Sequence, residues 1–103
     1  MSISVGQSVP EFTAQATSGQ QVQLSALHGN QVVLYFYPKD STPGCTTEGQ
    51  DFRDLYRDFQ AANTLIFGVS RDSLKSHENF RGKQSLPFEL ISDKDETLCQ
   101  LFD

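Results

Sequence analysis

The chain has 103 residues, 37% of them hydrophobic with eight Phe and three Tyr, enough for one domain around one compact core. Thirteen acidic against eight basic residues leave a net charge of −5, which argues against nucleic acid or an anionic membrane surface as a main partner, since both call for clustered Lys and Arg. The opening MSISVGQSVPEF has neither a basic n-region nor a long apolar stretch, and the longest apolar run, residues 32–37, falls far short of the ~20 residues a membrane span needs.

With no export signal and two widely separated cysteines, a cytoplasmic chain with reduced thiols is expected. Phe12 to Ala16 and Gln21 to Leu24 flank Thr17-Ser18-Gly19-Gln20, the pattern of a short hairpin with a glycine-bearing turn. Ser25 to Leu27 reads as one helical turn stopped at Gly29, with His28 part of the turn. The run VVLYFY, residues 32–37, predicts a strand buried on both faces. From Pro43 to Asn63 the period becomes helical, with Phe52, Leu55, Tyr56 and Phe59 forming an apolar stripe. Thr64 to Ser70 is a second buried strand, Ser73 to Gln84 a polar helix, and Pro87 to Ser92 a third strand. Asp93 and Glu96 read as a weak capping box for a last helix carrying Leu98, Leu101 and Phe102. This alternation predicts a single α/β domain over residues 1–103 with a parallel sheet core. Reactive groups in such sheets lie beyond the carboxyl ends of the strands.

One such place is PKDSTPGC, residues 38–45. Thr42 suits the N-cap and Pro43 the first helical position, which puts Gly44 and Cys45 second and third, where backbone N–H groups lack intrahelical partners. A thiol there lies near the positive end of the helix dipole, which favours thiolate. Cys45 also stands seven residues before Phe52, in line with the core-facing stripe. The competing reading is a small buried hydrophobe, the fate of most free cysteines. Glu48, on the same side as Cys45, either orients groups at the site or is an ordinary first-turn acid.

The motif around Cys45 resembles the P-x-x-x-T-x-x-C signature of peroxiredoxins. FYPKDSTPGCTTEGQDFRD is similar to their peroxiredoxin Q, or bacterioferritin comigratory protein, branch, as are VGQSVPEFTAQATSGQ, FGVSRDSLKSHENF and FELISDKDETLCQLFD. The resemblance implies a thioredoxin-like, three-layer α/β/α fold and reduction of hydrogen peroxide or alkyl hydroperoxides. It implies Cys45 as the peroxidatic nucleophile, Thr42 as a hydrogen-bond partner of peroxide and sulfur, Pro38 as a shield against water, and the Gly44 and Cys45 amides as a hold on the peroxide oxygens.

Two departures stand out. At the positions where the branch carries a resolving cysteine stand Gln50 and Arg81. Cys99 remains as a possible resolving thiol, although a core-lining role is the simpler expectation, so a one-cysteine mechanism with thioredoxin, glutaredoxin or glutathione as reductant is predicted. Family members also continue with further strands, a helix and an arginine that flanks the sulfur. Arg53 and Arg57 are poor substitutes for that arginine. The chain therefore reads as C-terminally incomplete, with an open edge beside VVLYFY through which it can associate, weakened peroxidase activity, and a monomer as the full-length state. A peroxide-sensing or inactive thioredoxin-like module is the alternative, while disulfide exchange is disfavoured because no C-x-x-C is present. No cofactor and no metal are expected. His77 reads as a boundary residue, Asp93, Asp95 and Glu96 as helix-start charges, and Gly19, Gly29, Gly68 and Gly82 form no phosphate loop.

Overall fold

A computed structural model describes residues 5–27 and 29–102; the predicted His28 turn, the first four residues and Asp103 lie outside the described residues. Strands β1 (Thr13–Ala16) and β2 (Gln21–Gln23) form the expected hairpin. Ser18 and Gly19 both have positive φ, 62° and 66°, as a two-residue turn that follows the strand twist requires. A 3-10 turn over Leu24–Leu27 leads to β3 (Gln31–Phe36).

The predicted helix after β3 is broken. Helix α1 spans Pro43–Asp54 and α2 spans Tyr56–Ala61, with Leu55 between them at φ −97°, ψ 4°. That offset turns Leu55 out to 51% exposure, while Phe52, Tyr56 and Phe59 keep their place against the core. Of the predicted stripe, Leu55 is the member the structure removes. Strand β4 runs over Thr64–Ser70, α3 over Leu74–Gln84 and β5 over Glu89–Ser92. The Ser73 side chain caps α3 by accepting from the Ser76 N–H at 3.2 Å.

Helix α4 covers Thr97–Phe102 and starts later than a capping box at Asp93 would place it. Asp93 is buried and works at longer range: its two carboxylate oxygens accept from the Leu98 and Cys99 N–H groups, each at 2.9 Å. Glu96 does not reciprocate; it takes a positive φ of 61° and pairs with Arg71 at 3.6 Å.

The sheet order is β2-β1-β5-β4-β3. Strands β3, β4 and β5 are parallel, as predicted, and the hairpin joins antiparallel through β1 against β5. Alternation along the strands sends side chains to two cores. Tyr35, Tyr37, Ile66 and Leu90 face one side, beneath α1, α2 and α3. Val32, Leu34, Phe67, Val69 and Ile91 face the other, where α4 brings Leu98, Leu101 and Phe102. The result is the expected three-layer, thioredoxin-like arrangement.

The expectation that residues 32–37 are buried on both faces does not hold. Tyr35 and Tyr37 are buried, but Val32, Leu34 and Phe36 on the opposite face are only partly covered, Phe36 being 38% exposed. The reason is position: β3 is the edge of the described sheet, and six-residue α4 is short cover for it, with the Phe102 ring centroid 5.7 Å from that of Phe36. Among the described residues no helix is long and apolar enough to cross a membrane.

Candidate active site

The site begins where β3 ends. Tyr37 is held to β4 by its N–H on the Val69 carbonyl, and the chain then turns through Pro38–Ser41 into α1. Ser41 adopts φ 64°, a left-handed conformation that a non-glycine residue keeps only when its surroundings impose it. Thr42 occupies the N-cap position with extended backbone and Pro43 the first helical position, both as predicted. The Thr42 side chain, however, makes no cap bond; its hydroxyl donates instead to the Lys39 carbonyl at 3.0 Å. Its hydrogen is thereby used, and its lone pairs remain as acceptors. The opening amides of Gly44 and Cys45 are left uncapped by that side chain.

Cys45 is 8% exposed and belongs to the core cluster of Tyr35, Tyr37, Phe80 and Phe88, with Phe52 packed on it, so the sulfur sits at the margin of a dry aromatic core. Pro38 and Gly44 are exposed. Glu48 is exposed too and stands in the second turn of α1, not the first, so the first-turn reading is corrected. Burial, then the charge of Glu48, raises the pKa of the Tyr35 hydroxyl. Burial and the hydrogen bond to Asp40 do the same for Tyr37, so both phenols stay protonated.

Sequence reasoning missed the polar network beneath this loop. Asp40 is buried and accepts from the Tyr37 hydroxyl at 2.7 Å, the Ser76 hydroxyl at 2.8 Å and His77 Nδ1 at 2.7 Å. Burial alone would raise the Asp40 carboxyl pKa, but the bonds from His77, Tyr37 and Ser76 outweigh it and hold the pKa below its ordinary value. The Asp40 N–H donates to Asp72 at 2.7 Å, and Asp72 accepts from the Ser70 hydroxyl at 2.7 Å. His77 is fully buried, which corrects the boundary reading. The available signal was the placement of Asp40 and Asp72 just past the ends of two neighbouring parallel strands, with Ser76 and His77 opening the next helix.

The remaining predicted residues lie elsewhere. Gln50 donates to the Gln84 side chain at 2.9 Å, and Arg81 donates to the Phe88 carbonyl at 2.9 Å and pairs with Glu89 at 3.2 Å, so the two positions without cysteine clasp α1, α3 and β5. Arg53 bonds the Gln84 carbonyl at 2.9 Å, and Arg57 is exposed. Cys99 is half-buried on α4, the helix of the opposite core, so the sheet stands between the two cysteine-bearing helices. Burial, then the hydrogen bond and charge of Asp93, pushes the Cys99 thiol up to about 11.

A thioredoxin-like sheet with a cysteine at the start of the helix that follows a parallel strand, inside P-x-x-x-T-x-x-C, defines a protein of the peroxiredoxin class. The chain belongs to the AhpC/TSA family, whose model matches residues 5–103, and within it to the peroxiredoxin Q or Bcp branch. Peroxiredoxin Bcp of Xanthomonas campestris pv. campestris is 58% identical over 87 residues, which are 84% of this chain and 54% of that protein. Peroxiredoxin Bcp of Bacillus subtilis is 46% identical over 103 residues, 100% of this chain and 66% of that protein. The solved Xanthomonas campestris Bacterioferritin Comigratory Protein, studied for alkyl peroxide reduction activity in trapped intermediate and ligand complexes, matches with a TM-score of 0.87 and 53% identity. That match covers 89% of this chain and 59% of that one. The chain thus spans between 54% and 66% of the length of these two curated relatives.

Proposed function

We propose that the chain is a thiol peroxidase that reduces hydrogen peroxide or an alkyl hydroperoxide at Cys45. The observation that carries this reading is a nearly buried cysteine at an uncapped helix start, on a loop clamped to the strand ends. The thiolate attacks the terminal oxygen of the peroxide in line; an S–O bond forms, the O–O bond breaks, and hydroxide or alkoxide leaves and takes up a proton. Sulfur loses two electrons and becomes a sulfenic acid. Thr42, whose hydrogen is committed to Lys39, accepts the hydroperoxide O–H, and the Gly44 and Cys45 amides donate to its oxygens. Pro38, exposed at the end of the strand, shields the site against water, and the charge of Glu48 is felt at Tyr35.

Recycling falls to an external thiol. Cys99 sits with the opposite core and its thiol is held protonated, so it is a poor resolving nucleophile. One reductant thiol condenses with the sulfenic acid and releases water; a second then frees Cys45 as the thiol and leaves the reductant as a disulfide. Thioredoxin, glutaredoxin or glutathione in the cytoplasm would supply these electrons. The alkyl peroxide reduction studied in the Xanthomonas campestris relative supports this substrate class.

The deciding test is intact mass after one equivalent of hydrogen peroxide, with and without dimedone. A dimedone adduct on Cys45 within seconds is expected. A chain whose mass is unchanged by peroxide, with no adduct, sinks the reading, whereas loss of two hydrogens in place of the adduct would make Cys99 the resolving thiol.

A further inference from the structure

The peroxidase chemistry leaves one buried group without a role. His77 has 0% exposure and both its ring nitrogens are engaged: Nε2 lies 2.9 Å from the Ile91 carbonyl oxygen, and Nδ1 lies 2.7 Å from the Asp40 carboxylate. Asp40, Asp72 and His77 bring potential ligand atoms within 4.8 Å of one another. Yet the Asp72 oxygen already takes the Asp40 N–H, and the Asp40 oxygen takes His77 and Ser76, so this donor set is closed by its own hydrogen bonds and not built around a cation.

What the pair does mechanically is more telling. Asp40 lies in the loop that carries Thr42 and opens the helix of Cys45. Through the bonds from His77, Ser76 and Tyr37 and its own bond to Asp72, that loop is fastened to α3, to the end of β3 and to the segment beyond β4; His77 extends the tie to β5. This fastening helps hold Ser41 at φ 64°, beside the bond from the Thr42 hydroxyl to the Lys39 carbonyl that closes the same turn. Attack on a peroxide depends on placing the oxygen chain in line over the sulfur, and misplacement by about 1 Å costs on the order of a hundredfold in rate.

We infer that His77, acting through Asp40, is a positioning residue that holds the Pro38–Thr42 loop where Thr42 and the first amides of α1 can align a peroxide on Cys45. This rests on the peroxidase reading. Neither residue touches the substrate.

The test compares two reactions of Cys45 in the full chain, each read by peptide mass spectrometry after rapid quench: oxidation by hydrogen peroxide and alkylation by iodoacetamide. Both need a thiolate and access, but only the first needs peroxide alignment. In Asp40→Asn and His77→Gln the peroxide rate is expected to fall about tenfold or more, with alkylation within about twofold of the unaltered chain. Ser76→Ala removes one of the bonds to Asp40 with little change in packing, and should lower the peroxide rate about threefold; it keeps the comparison informative if the other two variants do not fold. Parallel loss of both rates, or a peroxide rate within about twofold of the original in every folded variant, overturns the inference. An unaltered chain that is alkylated but never oxidised overturns the peroxidase reading and this inference with it. Normal oxidation in the unaltered chain together with indifferent variants sinks the inference alone.

Discussion

Gly68, in the middle of β4, has the Tyr35 ring lying across it. A Cβ there would stand 2.8 Å from Leu90 Cδ2 and 2.9 Å from both Cζ and the hydroxyl oxygen of Tyr35, too close for any real contact. Gly68→Ala is therefore expected to cost about 1–3 kcal/mol in chemical denaturation, since the ring is pinned by Phe52 at 4.5 Å and cannot retreat. Full stability in that variant would show that the ring swings. The Tyr35 hydroxyl itself is buried without a hydrogen-bond partner among the described residues. Because an unsatisfied buried hydroxyl opposes folding, Tyr35→Phe should be neutral or stabilising by up to about 1 kcal/mol, and a clear loss of stability would mean that the hydroxyl is bonded. Cys99 gives a third residue-level expectation. With its thiol at about 11, its alkylation should be slow at neutral pH and accelerate as pH climbs toward that value; fast alkylation near pH 7 contradicts the assignment.

Helix α4 has six residues, too few to persist on propensity alone, and depends on what holds its start. Asp93 supplies that hold through two amide bonds from a buried position. Asp93→Asn keeps the size but removes the negative charge, so the Cys99 thiol should titrate lower than in the unaltered protein, a shift readable by pH-dependent alkylation. Asp93→Ala should in addition loosen α4 and cost about 1–3 kcal/mol, because two amides near a buried position lose their acceptor. Hydrogen exchange at Leu98 and Cys99 would report this directly; unchanged protection there would mean that packing by Leu98 alone secures the helix.

At the scale of the molecule, two features set behaviour. The outer side of β3 presents Val32, Leu34 and Phe36 around an apolar hollow completed by Val9, Phe12, Leu24 and Phe102. An edge strand with this composition is a template for association. Concentration-dependent self-association is expected in sedimentation velocity, with Phe36→Lys reducing it; a strictly monomeric chain at high concentration goes against the expectation. The second feature is acid response. The carboxyl pKa of Asp40 is depressed in the folded state, so its contribution is present above the ordinary carboxylate range and lost as pH falls through the depressed value. Acid unfolding should therefore loosen the Cys45 loop together with α3, seen as joint loss of amide protection at Thr42–Thr46 and Ser76–Phe80.

Local pattern alone was enough for much of this architecture. Strand β4 has the bounds its apolar run suggested, α3 begins at its Ser73 cap, the hairpin turns at Ser18-Gly19, and Cys45 lies third in a helix opened by Thr42 and Pro43, because turns, caps and periodicity depend on neighbours within a few residues. Partner choice across the sheet could not be read this way. Only the tertiary structure set β1 against β5, put β3 at the edge, and placed the two cysteine-bearing helices with opposite cores. It alone joined Asp40 to His77 across 37 positions of chain, since the order of strands, and not any local signal, decides which distant polar groups meet once water is excluded between them.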